Sequence, residues 1–128
     1  MPKIQTILLV DDDANIRKLA KMSLEKVGGY QVATAASGQE ALDMLNVARP
    51  DVIVLDIMMP GLDGATILSR LKESVEHASI PVILMTAKVQ CQEMDELLAR
   101  GAVGVIIKPF DPLRLPEEIE QMLSGEPA

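Results

Sequence analysis

Val52-Ile53-Val54-Leu55-Asp56-Ile57-Met58-Met59-Pro60-Gly61-Leu62-Asp63-Gly64 decides the fold. Four apolar residues, three of them β-branched, read as a buried strand. The run ends in one carboxylate, after which Pro60-Gly61 and Asp63-Gly64 break the backbone into a loop. Asp56 is therefore expected at the carboxyl end of an interior strand, where open α/β sheets place their ligands. Taken alone, Asp56 reads better as a strand cap or an acceptor of loop amide bonds. Three further apolar runs change that, because Thr6–Val10 ends in Asp11-Asp12, Ile80–Met85 ends in Thr86, and Val103–Ile107 ends in Lys108.

Outward from this strand, the chain alternates. From Ala14, apolar residues at Ile16, Leu19, Ala20, Leu24 and Val27 recur at helical spacing up to Gly28-Gly29. Tyr30–Ala35 is less uniformly apolar and reads as an edge strand. Ser37-Gly38-Gln39-Glu40 is a capping box, opening a second helix with Ala41, Leu42 and Leu45 on its buried face. Ile67, Leu68, Leu71 and Val75 mark a third helix beginning near Gly64, and Met94, Leu97 and Leu98 a fourth, closed by Arg100-Gly101. Asp111-Pro112 has the form of a helix start, but Pro116 would then fall a full turn inside and break the ladder. A turn at Asp111-Pro112 and a helix from Leu115-Pro116, burying Ile119, Met122 and Leu123, is the better reading.

Five strands alternating with five helices predict an α/β doubly wound fold, (βα)5, with a five-stranded parallel sheet. The flavodoxin-like order 2-1-3-4-5 sets strands one, three, four and five side by side and converges their carboxyl ends on one crevice. Residues 1–124 read as one domain, and 125–128 as a disordered tail or the start of a linker. With 128 residues, 48% hydrophobic but only 2% aromatic, the core has to be aliphatic. A net charge of −7 repels phosphate backbones and anionic lipid, so neither nucleic acid nor membrane is expected as a direct partner. Cys91 is the single cysteine, which excludes a disulfide framework or a thiolate metal site within one chain. The apolar run at Ile7–Val10 is too short for a signal peptide or a membrane span, and a cytoplasmic setting is expected.

The crevice would gather Asp11, Asp12, Asp56, Thr86 and Lys108. Crowded carboxylates repel and need a compensating cation. Hard oxygen donors without His or Cys suit Mg²⁺. Lys108 adds a second positive charge, Thr86 a hydroxyl, and the small Ala87 leaves its backbone amide approachable. These groups match what a phosphoryl group in flight requires, and a carboxylate is an established nucleophile towards phosphorus. Asp56, on the central strand, is the candidate nucleophile. Asp13 is assigned to the helix N-terminus, His77 to a solvent-facing loop, Met59 to the core and Met58 to the site mouth.

The motifs Leu9-Val10-Asp11-Asp12, Asp56-Ile57-Met58-Met59-Pro60-Gly61-Leu62-Asp63-Gly64, Met85-Thr86-Ala87 and Gly101–Phe110 with Lys108-Pro109 stand in order over nearly the whole chain. On these the chain resembles the receiver domain of two-component response regulators, the chemotaxis regulator among them. The resemblance implies that Asp56 accepts the phosphoryl group and that Asp11, Asp12 and Asp56, with the backbone carbonyl of Met58, hold Mg²⁺. It implies that Thr86 moves to meet the phosphoryl group, that Lys108 pairs with one of its oxygens, and that the Lys108–Pro109 bond is cis. The implied donor is a histidine kinase or histidine phosphotransfer protein, with small donors such as acetyl phosphate as well. The implied result is a shift of the helix 4–strand 5–helix 5 surface towards a downstream protein target or an output domain outside this chain. The domain is then a signalling switch rather than an enzyme, a monomer or weak homodimer, either stand-alone or excised from a longer regulator.

One departure stands out. The family often has Tyr or Phe in the middle of strand five, where this chain has Val105, so the output is expected to rely on Thr86 and the loop to helix four. Met58 and Lys88 are expected to flank the acyl phosphate and hinder water. Three alternatives remain: a flavin module, disfavoured by Asp11-Asp12-Asp13 after strand one; a phosphatase using Asp11 and Asp13; and a degenerate receiver acting as a protein-binding scaffold.

Overall fold

The computed structural model describes residues 5–59, 61, 63–87 and 91–124, with backbone only at 91–93. Pro60, Leu62, Lys88, the side chain of Cys91 and the tail 125–128 lie outside the described residues. The strands are β1 (Thr6–Val10), β2 (Gln31–Ala35), β3 (Val52–Asp56), β4 (Val82–Thr86) and β5 (Gly104–Ile107). The helices are α1 (Ala14–Met22), α2 (Gly38–Leu45), α3 (Gly64–Glu73), α4 (Cys91–Ala99) and α5 (Leu115–Ser124). All strand pairs are parallel, in the order β2-β1-β3-β4-β5. This is the expected flavodoxin-like arrangement, with β2 at one edge.

Side-chain alternation along each strand divides the core into two layers. Leu8, Val10, Ile53, Leu55, Val82 and Leu84 face a cluster with Ala41, Leu45, Ile67, Leu68, Leu71 and Leu97, so α2, α3 and α4 cover that face. Ile7, Leu9, Val52, Val54, Ile83 and Met85 face the other way, onto Ala20, Leu24, Leu115 and Ile119 of α1 and α5. Every residue of β3 and β4 is buried, as the unbroken apolar runs require. Each fully buried aliphatic side chain contributes about 2 kcal/mol of transfer free energy.

The polar signals act locally as expected, with one variation. Asp13 caps α1, its carboxylate accepting from the amides of Asn15 (2.9 Å) and Ile16 (3.2 Å). Ser37 Oγ accepts from the Glu40 amide at 3.1 Å, but the Glu40 carboxylate reaches back to the amide of Ala36 rather than Ser37. Asp111 accepts amides of Leu113, Arg114 and Leu115, forming a turn before α5. Pro116 then sits in the first turn of α5, where no intrahelical partner for its amide is needed.

Four expectations need correction. The first helix is not uniform: after Met22 it widens into a π-helical turn at Ser23–Val27, closed by a bond from the Gly28 amide to the Ser23 carbonyl. Ile16, Ala20 and Leu24 keep the buried stripe, while Leu19 and Val27 are exposed. Val75 does not belong to the third helix; α3 ends at Glu73, Ser74 turns extended, and Val75 is 98% exposed. His77 is half-buried rather than solvent-facing, with its Nδ1 3.2 Å from Ser74 Oγ in a tight loop. The widened turn has a tertiary counterpart, since the buried Ser23 hydroxyl donates to the carbonyl of Pro112, ahead of α5.

Candidate functional site

Four strand ends build the site. Asp11 follows β1, Asp56 closes β3, Thr86 closes β4, and Lys108 follows β5. The register carries them to one level: Asp56 lies opposite Met85, Thr86 opposite Ile107, and the Lys108 amide donates to the Thr86 carbonyl at 2.8 Å. Asp11, Asp56 and Thr86 are buried, a rare state for carboxylates that lack partners. Asp12 and Ala87 are exposed at the rim.

Lys108 spans the sequence to meet both buried acids. Its Nζ lies 2.7 Å from Asp11 Oδ2 and 3.2 Å from Asp56 Oδ2, with only 15% of its side chain exposed. The second oxygens face backbone amides: Asp11 Oδ1 accepts from Asp13 (2.9 Å) and Asp56 Oδ1 from Met58 (3.1 Å). Carboxylate oxygens of Asp11, Asp12 and Asp56 lie within 4.8 Å of one another. Burial raises the pKa of Asp56 and the charge of Asp11 adds to it, outweighing the Met58 amide and the Lys108 ammonium. For Lys108, burial favours the neutral amine, but the hydrogen bond and charge of Asp11, with those of Asp56, outweigh it and hold the ammonium above its ordinary range.

The loop after β3 is shaped by close approach. A Cβ on Gly64 would fall 2.6 Å from both the Asp56 carbonyl oxygen and Ile57 Cα, so α3 can start against the strand end only with glycine there. The Gly64 amide donates to the Ile57 carbonyl (3.0 Å), and Asp63 caps the helix through the Thr66 amide (2.9 Å). Met58 is exposed beside Asp56 and Met59 is buried, as expected. The Lys108–Pro109 bond is cis.

Chemically, three carboxylates around one ammonium leave a negative cradle of oxygen donors. Such a set fits a hard divalent cation, and among the described residues no His or Cys joins the group. The pairing of Asp11 with Asp13 required by the phosphatase alternative is not formed, because the Asp13 carboxylate is engaged at the helix N-terminus while Asp11 turns inward to Lys108. Sequence reasoning did not single out Arg17. Its Nη1 donates to the Asp11 main-chain carbonyl at 2.8 Å, and no side-chain pattern announces a bond to a carbonyl.

Comparison with known proteins agrees with this geometry. The family model "Response regulator receiver domain" matches residues 7–120, and the chain belongs to that family. It is 37% identical over 93% of its length to the "Probable transcriptional regulator ycf27" of Guillardia theta, covering 45% of that protein. It is 33% identical over 96% of its length to the "Response regulator Rre1" of a Synechocystis species, covering 53% of it. The chain thus spans about half the length of these relatives. Among solved structures, the chemotaxis protein CheY4 of Vibrio cholerae superposes with a TM-score of 0.87 at 32% identity, covering 94% of this chain and 99% of that one. The receiver domain of a signal transduction histidine kinase from Syntrophus aciditrophicus superposes with a TM-score of 0.82 at 34% identity, covering 94% and 91%.

Proposed function

We propose that this chain, over residues 1–124, is a phosphoryl-accepting signalling switch whose acceptor is Asp56. The observation that carries the reading is the ammonium of Lys108 held between Asp11 and Asp56 at the head of the central strand. The donor is a phosphohistidine on a histidine kinase or histidine phosphotransfer protein. An Asp56 carboxylate oxygen forms the new O–P bond as the P–N bond breaks, and the imidazole leaves with the bonding pair. Asp11, Asp12, Asp56 and the Met58 carbonyl would hold Mg²⁺, which would supply positive charge against the phosphoryl oxygens. Lys108 pairs with one such oxygen, while the Thr86 hydroxyl and the Ala87 amide donate to others. The nucleophile must be ionised; burial and the charge of Asp11 oppose that, and a cation ligated by Asp56 would favour it.

Output follows from the bond between the Lys108 amide and the Thr86 carbonyl. Displacement of Thr86 pulls on the end of β5 and on the face formed by α4, β5 and α5. On that face lies a groove of about 690 Å³ lined by Val105, Ile107, Phe110, Arg114 and Met122. Val105 is half-buried there and acts as a passive contact. The partner is a downstream protein or an output domain outside these residues. Some relatives are named as transcriptional regulators; the net charge of −7 on this chain disfavours its own contact with DNA, so such contact would belong to an output domain outside these residues. Among the described residues no helix is long and apolar enough to cross a membrane, and the reading places the domain in the cytoplasm.

The test is an intact mass after incubation with Mg²⁺ and acetyl phosphate, with Asp56→Asn in parallel. One phosphoryl group on the wild type, lost without Mg²⁺ and absent from the variant, is expected. No adduct, with small donors or a panel of kinases, overturns the reading in favour of a protein-binding scaffold.

A further inference from the structure

Arg17 is a cation beside the site that the chemistry above leaves unused. It lies one turn into α1, its amide donating to the Asp13 carbonyl at 2.9 Å. Its side chain turns back, and Nη1 donates to the main-chain carbonyl of Asp11 at 2.8 Å. With that bond, each polar group of Asp11 has a partner. The amide goes to the Ala35 carbonyl (3.1 Å), Oδ1 accepts from the Asp13 amide (2.9 Å), and Oδ2 accepts from Lys108 (2.7 Å).

The peptide joining Asp11 to Asp12 has a demanding task. Asp11 and Asp12 follow β1 into a bend, and here one carboxylate is buried while the next is exposed. Yet oxygens of both come within 4.8 Å of each other and of Asp56. That convergence depends on the tilt of the Asp11–Asp12 peptide plane, and Arg17 holds its carbonyl. Among the described residues Arg17 forms no ion pair with the three acids. A guanidinium forked onto a carboxylate would cover the oxygens a cation needs, whereas one bonded to a carbonyl leaves them open.

We propose that Arg17 is a positioning residue for the divalent-cation site, holding the Asp11–Asp12 peptide so that both carboxylates converge with Asp56. The inference rests on reading that acidic trio as the Mg²⁺ site. It has a sharp competitor, in which Arg17 acts only as a nearby charge. The two differ in sign. A bare positive charge repels Mg²⁺, so its removal tightens binding and Arg17→Lys behaves as wild type. A positioning residue gives weaker binding in both Arg17→Ala and Arg17→Lys, because lysine keeps the charge but its ammonium sits one atom short of the Nη1 that reaches the carbonyl.

The experiment is a Mg²⁺ titration of the full chain by calorimetry, with the amide resonances of Asp12, Asp13 and Met58 followed in parallel. The urea midpoint without Mg²⁺ is measured on the same variants. Loss of an outer group that orients a metal ligand costs about tenfold in affinity or more, so the Kd of both variants is expected to rise at least that much. A merely structural role would lower the urea midpoint and leave the Kd where it was. Unchanged or tighter Mg²⁺ binding in Arg17→Ala, or wild-type binding in Arg17→Lys, overturns the inference alone. Absence of Mg²⁺ binding by the wild type overturns the cation-site reading, and the inference with it.

Discussion

Replacing Lys108 by methionine keeps the stem and removes the ammonium, leaving Asp11 and Asp56 buried without their shared counter-charge. Removing one partner of a buried pair costs about 3–5 kcal/mol. Lys108 retains some solvent contact, so the lower end applies, about 3 kcal/mol. With a urea slope of about 1.5–2 kcal/mol/M for a domain of this size, the midpoint falls by about 1.5–2 M at pH 7. Acidification should return part of the loss. Asp56 already has a raised folded-state pKa, and loss of Lys108 raises it further. The folded state then binds the proton more tightly than the unfolded one. The variant is therefore relatively most stable below the unfolded pKa, and stability declines as pH rises through the folded pKa. Mg²⁺ should also raise the variant's midpoint more than the wild type's, since no ammonium competes for Asp11. Urea melts at pH 7 and pH 5, with and without Mg²⁺, read all three effects. A variant as stable as wild type at pH 7, or a deficit that persists unchanged at pH 5, would refute the electrostatic account.

Other perturbations test the frame around the site. Gly64→Ala drives a methyl group into the Asp56 carbonyl and Ile57, with no flexible side chain to yield; a loss of about 2 kcal/mol and slower phosphorylation are expected, and a neutral melt would contradict the close approach. Asp51 accepts from the amides of Gln5 (2.9 Å) and Thr6 (3.0 Å), which lower its pKa. Asp51→Asn should cost about 1 kcal/mol at pH 7, discounted for exposure. That contribution is present above the ordinary value of 3.8 and lost as pH falls through the lower folded value, so wild type and variant should converge in acid. Met58 is exposed beside Asp56, and replacing it by alanine should speed phosphate loss about threefold, or about 0.7 kcal/mol of barrier; unchanged decay, followed by intact mass, would remove that role.

The strands were legible because each is a short aliphatic run, and the site because each of four runs stops at a polar residue suited to one chemistry. Asp11, Asp56, Thr86 and Lys108 are far apart in sequence, yet parallel topology alone brings their strand ends to one level. The turn at Asp111 and the start of α5 followed from the cost of proline inside a helix. Legibility ended where distant packing decides. Val75 fits the helical spacing, but nothing local says that Ser74 turns extended. The widened turn at Ser23 is stabilised by a bond to Pro112, 89 residues away, and periodicity carries no trace of it. Arg17 bonds a carbonyl, which every residue possesses, so no motif marks the partner.

Tyr30 is the chain's single tyrosine, and there is no tryptophan. It is buried against the widened turn, and its hydroxyl donates to Glu120 of α5. Burial and that carboxylate push its ionisation well above the ordinary 10.0. Near-ultraviolet light thus sees this molecule almost wholly through one phenol at the seam between its first and last helices. A carboxylate acceptor quenches phenol emission, so a brightening of Tyr30 would signal α5 parting from that seam. The chain contains its own optical gauge of helix displacement, set away from Asp56, and no label need be added to read it.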